Sequence, residues 1–303
     1  MLENDKPTLL VTGASGQLGG RVVELLLETQ AGTIIAATRT PEKLEAFSNR
    51  GVIVRRADFN DPDSLGEAFA GVDRLLLIST DVLGEPGLRL KQHRAAVKAA
   101  AEAGLSHVVY TSLSNPGPES AVLFAPDHYG TETALADSRL NWTVLRNNIY
   151  TDLLPASLGR AVQMGQLFSA AGDGKTAYVT REDCARAAAA ALASSFNGRR
   201  TLDITGPKAL SQADLAEIAA EITGKPVTYV PLALEVLVEN MIAAGLPRSV
   251  AETYASIDTA TAQGQFDVVS GAVEELTGRK PASVAEFLAA HRDALVPEPE
   301  TQS

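Results

Sequence analysis

The residues best suited to chemistry lie near the start of the chain. Thr12-Gly13-Ala14-Ser15-Gly16-Gln17-Leu18-Gly19 follows an apolar run at 8–12 and opens a helix pattern at 18–28. Glycines at these positions let the backbone turn tightly and bring N–H groups against a pyrophosphate, and the helix N-terminus adds a partial positive charge. A glycine triplet alone is a weak signal, but in a strand–turn–helix context it is a strong one. Gly13, Ser15, Gly16, Gln17, Leu18 and Gly19 are therefore the expected cradle of a dinucleotide.

The second apolar run, at 33–38, decides which dinucleotide. A site for NADH usually places an acid about 20 residues after the glycines, against the ribose 2′-hydroxyl. This run ends instead in Arg39, with Lys43 one turn further on and no carboxylate at the strand end. A guanidinium offers a planar fork to a 2′-phosphate. NADPH is the expected cofactor and NADH the weaker alternative. A solvated Arg39, or one paired with Glu42, is the competing reading.

Positioning such a loop requires a sheet. Further apolar runs at 52–55, 74–79, 107–111 and 143–145 alternate with helix patterns at 41–49, 64–69, 87–103 and 127–138. Short strands buried on both faces, with a helix between each pair, predict right-handed βαβ units. The hydroxyl of Thr40 is placed to cap the helix that begins at Pro41, and Gly104 to close the alanine-rich one. The fold class expected is α/β, a Rossmann-type doubly wound parallel sheet over residues 1–150. Residues 177–206, a helix and a strand, are expected to return to it. Segments 151–176 and 207–296 form a smaller, mostly helical substrate region, and the tail from Pro297 is expected to be disordered.

Composition narrows the partners. With 26 Lys+Arg against 37 Asp+Glu the net charge is -11, which argues against nucleic acid and against anionic membrane. No run approaches the length of a spanning helix, and the first residues lack the apolar core of a signal peptide, so a cytoplasmic location is expected. The single cysteine, Cys184, excludes an intrachain disulfide and reads as small core filler. Gly172-Asp173-Gly174-Lys175 only superficially resembles a phosphate loop.

The ordered motifs Leu9–Gly19 (LLVTGASGQLG), ATRTPEK at 37–43, ADFN at 57–60, LLLIS at 75–79, YTSL at 110–113 and LRN at 145–147 resemble the NmrA-like group of atypical short-chain dehydrogenases. Within that group the likeness is nearest to bacterial flavin-free NAD(P)H:quinone oxidoreductases, with triphenylmethane-dye and azo reductases as relatives. The resemblance spans about residues 8–290. It implies that Arg39 and Lys43 hold the 2′-phosphate, and that Asp58 and Phe59 face the adenine. Leu77, Ile78, Ser79 and Thr80 would run along the adenosine and its ribose, with Thr111 and Ser112 beside the nicotinamide. For Asp58, capping the following helix is an equal alternative.

Ordinary short-chain dehydrogenases use Tyr-x-x-x-Lys, whereas here Thr133 stands four residues after Tyr129. The segment carries His128-x-x-x-Glu132 instead, and the resemblance puts His128 where relatives keep the lysine. At i and i+4 the two side chains share a helix face and are able to hydrogen-bond. His128 is expected to hold the nicotinamide ribose or relay a proton, with a structural histidine as the alternative. Asn147 is expected to donate its amide N–H to the acceptor oxygen, with Asn148 and Tyr150 lining the pocket. Segment 113–126 is read as a mobile lid. The catalytic set is thus His128, Glu132, Asn147 and Tyr150.

These readings converge on an NADPH-dependent reductase of quinones or similar conjugated acceptors, needing neither flavin nor metal. A non-catalytic NADP(H) sensor is the second hypothesis, and an epimerase is disfavoured by the missing Tyr-x-x-x-Lys. Pairing of two copies is left open.

Overall fold

The computed structural model describes residues 6–82, 85 and 87–296. The tail from Pro297 lies outside them. In chain order the strands are β1 (Thr8–Val11), β2 (Thr33–Thr38), β3 (Ile53–Arg56), β4 (Arg74–Leu77), β5 (His107–Leu113), β6 (Asn141–Asn147), β7 (Gln166–Ser169), β8 (Lys175–Thr176), β9 (Arg199–Ile204), β10 (Leu210–Ser211) and β11 (Thr228–Pro231). The helices are α1 (Gln17–Glu28), α2 (Glu45–Ser48), α3 (Pro62–Phe69), α4 (Leu88–Glu102), α5 (Ala125–Asp137), α6 (Leu154–Met164), α7 (Arg181–Ala193), α8 (Gln212–Thr223), α9 (Leu234–Ala243), α10 (Arg248–Ala262), α11 (Ala272–Thr277), α12 (Val284–Ala290) and α13 (Arg292–Leu295).

Seven strands form one parallel sheet in the order β3-β2-β1-β4-β5-β6-β9. Alternation along β1 shows why helices must cover both faces. Leu9 and Val11 pack with α1 and the alanine face of α7, while Leu10 packs with Leu65, Phe69, Ala96 and Ala100 of α3 and α4. Cys184 is buried in the first of these layers. The order reverses between β1 and β4, and an open α/β sheet binds its ligand at that switch point.

Two expectations are corrected here. The edge strand β3 is not buried on both faces, and Ile53 is exposed. Thr40 makes no capping bond to Pro41–Leu44, which winds as a single 3-10 turn before the short α2. Ser211 does cap α8, in a reciprocal pair with Asp214. Beyond Tyr150 a separate apolar cluster joins α6, α8, α12 and α13 through Leu158, Leu215, Leu288 and Leu295. The strands β7, β8 and β10 and the helix α11 escape the periodicity, being two to six residues long.

Candidate active site

The loop after β1 forms the wall of a cleft of about 360 Å³. Gly13 sits at φ +61°, a backbone conformation open to glycine. A Cβ on Gly19 would lie 2.4 Å from the carbonyl oxygen of Gly13, so the first turn of α1 is able to close on the loop only without a side chain there. Gly16 caps α1 with no side-chain bond, and the first turn of α1 holds no acid. The positive end of the helix thus opens into the cleft unneutralised, which fits an anionic diphosphate.

The remaining walls come from the carboxyl ends of neighbouring strands. Thr38 and Arg39 follow from β2, Asp58 and Phe59 lie beyond β3, and Ile78 to Val82 lie beyond β4. The loop is pinned to this frame. Ser15 and Thr38 share a hydroxyl bond at 2.8 Å, and the Thr12 hydroxyl bridges the Leu76 carbonyl and the Ile78 N–H at 3.0 Å each. Ser79 N–H donates to Thr111 Oγ1 at 2.9 Å, and Thr80 N–H to His93 Nε2 at 3.0 Å.

Most of the expected cofactor residues therefore line one cleft: Gly13, Ser15, Gly16, Gln17, Leu18, Gly19, Arg39, Asp58, Phe59, Ile78, Ser79 and Thr80. Arg39 is exposed there and forms no ion pair among the described residues. Asp58 lines the cleft, and its Oδ1 accepts from Asn60 N–H at 3.0 Å in a turn before α3, so it does not cap that helix. The cap of α3 is Asp61. Lys43 is exposed on the 3-10 turn and does not line the cleft. Thr111 is turned to Ser79, and Ser112 donates to Glu132 Oε1 at 2.6 Å.

The His128–Glu132 pairing does not form. Glu132 is held by Arg146, whose Nε and Nη2 donate to its two oxygens at 3.0 and 2.6 Å. His128 is buried, accepts from Arg89 Nη2 at 3.0 Å and meets the Tyr110 hydroxyl through Nδ1 at 2.9 Å. Burial first, then the Arg89 charge, lowers its pKa well below the ordinary imidazole value. The imidazole is therefore held in its neutral form, with both ring nitrogens taken by Arg89 and Tyr110.

The loop after β6 carries further polar groups, and Asn147 and Tyr150 stand behind Arg181, outside the cleft lining itself. Asn147 donates through Nδ2 to the Tyr150 hydroxyl at 3.3 Å, and its Oδ1 is buried without a partner among the described residues. Its free atom is therefore an acceptor, where a donor was expected. Asn148 does not face the site: it is buried and donates to the Phe266 carbonyl at 3.0 Å. Burial pushes the Tyr150 hydroxyl pKa up, so Tyr150 remains protonated. The segment read as a lid is fastened down. Ala121 N–H donates to Gln265 Oε1 at 3.1 Å, Leu123 N–H to Ser256 Oγ at 3.2 Å, and Val122 is buried against Ala260 and Phe266.

Asp81, Val82, Gln92 and Arg181 line the cleft without a counterpart in the sequence reading. Arg181, the first residue of α7, lines the cleft with its guanidinium 5.2 Å from the Tyr150 ring centroid. Asp152 holds it, accepting from its N–H at 2.8 Å and its Nη1 at 2.9 Å. The only local signal was the Thr180 cap, which marks the helix start and says nothing of a cleft.

A family model described as NAD(P)H-binding matches residues 13–195. This chain belongs to that family. The enzyme is 36% identical over 282 residues to quinone oxidoreductase 2 of Escherichia coli, covering 92% of this chain and 96% of the relative. The crystal structure of that relative with NADPH superposes with a TM-score of 0.88 at 35% identity, over 94% of this chain and 99% of the other. Triphenylmethane reductase of Citrobacter sp. with NADP(H) gives 0.86 and 35% over 93% and 99%. An NmrA-like oxidoreductase of Aspergillus flavus is 30% identical over 94% of this chain and 96% of its own. The protein is an NmrA-like NAD(P)H-dependent oxidoreductase with a Rossmann-like fold.

Proposed function

We propose that this enzyme transfers a hydride from NADPH to a quinone or a similar conjugated acceptor. The observation that carries the reading is the identity to the Escherichia coli quinone oxidoreductase over nearly the whole of both chains. When bound, the dinucleotide supplies the hydride from its reduced nicotinamide ring. The α1 N-terminus and the Gly13–Gly19 turn hold its diphosphate. Arg39 meets the 2′-phosphate, and Asp58 and Phe59 border the adenine.

Tyr150 replaces the missing Tyr-x-x-x-Lys machinery. Its hydroxyl accepts from Asn147, which strengthens it as a donor, and Arg181 over its ring favours charge building on the phenol oxygen. The Tyr150 O–H donates to the acceptor oxygen as that oxygen becomes negative. A quinone needs little more, since its reduced oxyanion is stabilised by conjugation. His128 and Glu132 act from behind, the first fixing Tyr110 and the second fixing Ser112 and Arg146.

The likeness to triphenylmethane reductase supports a dye as a second acceptor class. Purified protein with NADPH, a series of quinones and a triphenylmethane dye, followed by loss of reduced-nicotinamide absorbance, tests the reading. Turnover with quinones bears it out, and binding of NADPH without turnover of any acceptor overturns it in favour of a sensor.

A further inference from the structure

The cleft lining can be followed strand by strand. It starts beyond β3 at Asp58 and Phe59, passes Arg39 after β2, the glycine turn after β1 and Ile78–Val82 after β4, and ends on Arg181. The sheet order continues through β5 to β6, whose last residue is Asn147. Arg181 lies against the Tyr150 ring, and the Tyr150 hydroxyl contacts Asn147 at 3.3 Å. A dinucleotide with its adenine at Asp58 straddles the switch point and brings its nicotinamide to this far end.

Asn147 is 95% buried behind Arg181 and Tyr150 at this end, and Oδ1 is its unpartnered atom among the described residues. A buried acceptor with no donor costs about 1–3 kcal/mol, so such atoms call for a partner that arrives with a ligand. Nδ2 is already committed to Tyr150, so the open position accepts an N–H and has nothing to give to an oxyanion. A quinone carries no N–H. The nicotinamide carboxamide does.

We infer that Asn147 Oδ1 receives the carboxamide N–H of the nicotinamide and so fixes the orientation of the ring. This rests on the proposed placement of the cofactor. It gives Asn147 a second task beside holding Tyr150, so that one side chain sets both the hydride-bearing ring and the donor to the acceptor oxygen.

The test compares NADPH with its reduced acetylpyridine analogue, in which a methyl group replaces the carboxamide NH2. Dissociation constants are read by cofactor fluorescence without any acceptor, so the result is independent of turnover. Wild type should prefer NADPH by roughly three- to tenfold, the worth of one neutral hydrogen bond. Asn147→Ala should bind the two cofactors alike. Asn147→Asp, which keeps the size and an acceptor, should retain the preference although it loses the donation to Tyr150. An Asn147→Ala variant that still discriminates as wild type does would overturn the inference, and so would a wild type without preference. Loss of the preference in Asn147→Asp as well would show that the N–H of Asn147 meets the carboxamide, which also overturns it. Failure of the quinone reading appears instead as absent turnover with these affinities unchanged.

Discussion

Arg89 and His128 are joined at 3.0 Å, and this contact fixes a proton. A guanidinium only donates, so His128 Nε2 must accept and its hydrogen must sit on Nδ1, facing the Tyr110 oxygen. The same reasoning fixes His93, whose Nε2 accepts from Thr80 N–H and whose Nδ1 faces Thr131. Both rings are held neutral because the Nε2 of each faces an N–H donor that is unable to accept.

That locking predicts a pH dependence of stability. Burial and Arg89 bring His93 down to about 3 and His128 well below its ordinary value. Below about pH 6.5 the unfolded chain binds protons that the folded chain refuses, so stability falls as pH falls, by about 1.4 kcal/mol per pH unit for each histidine. Urea unfolding of His128→Gln should show a shallower loss between about pH 6.5 and pH 5 than wild type. Parallel curves would contradict the neutral, acceptor-only His128.

Arg39→Ala should weaken NADPH binding by about 1.5–3 kcal/mol and leave NADH nearly unchanged, because only the former carries the 2′-phosphate. Isothermal titration of both cofactors decides it. Equal losses would remove Arg39 from the phosphate.

Gly19→Ala places a methyl group 2.4 Å from the Gly13 carbonyl, so the turn must open. Overpacking of this kind costs about 1–3 kcal/mol, and the distorted cradle should weaken NADPH and NADH together. Unchanged affinity for both would place the diphosphate elsewhere.

Tyr150→Phe keeps the ring under Arg181 and removes the hydroxyl. The expected outcome is a fall in kcat/KM of about 10²-fold with NADPH affinity held, the mark of a group that acts on developing charge. A loss confined to NADPH binding would make Tyr150 a cofactor contact only.

Wherever a function depends on neighbours in the chain, the sequence by itself determined it. The Gly13–Gly19 turn, Arg39 at the end of β2 and the alternation of strand and helix are local patterns, and local patterns fix backbone geometry and therefore the cleft. Side-chain partners across elements were decided by the tertiary structure alone. His128 and Glu132 share a helix face, yet each found a stronger partner from another element, Arg89 from α4 and Arg146 from β6. A buried imidazole is stabilised by a donor that never needs it charged, and a carboxylate by a bidentate guanidinium, and both outweigh a contact of i and i+4 on the same helix. Arg181 reaches the cleft because α7 packs against α1, more than 150 residues apart in the chain, a proximity that no spacing rule encodes.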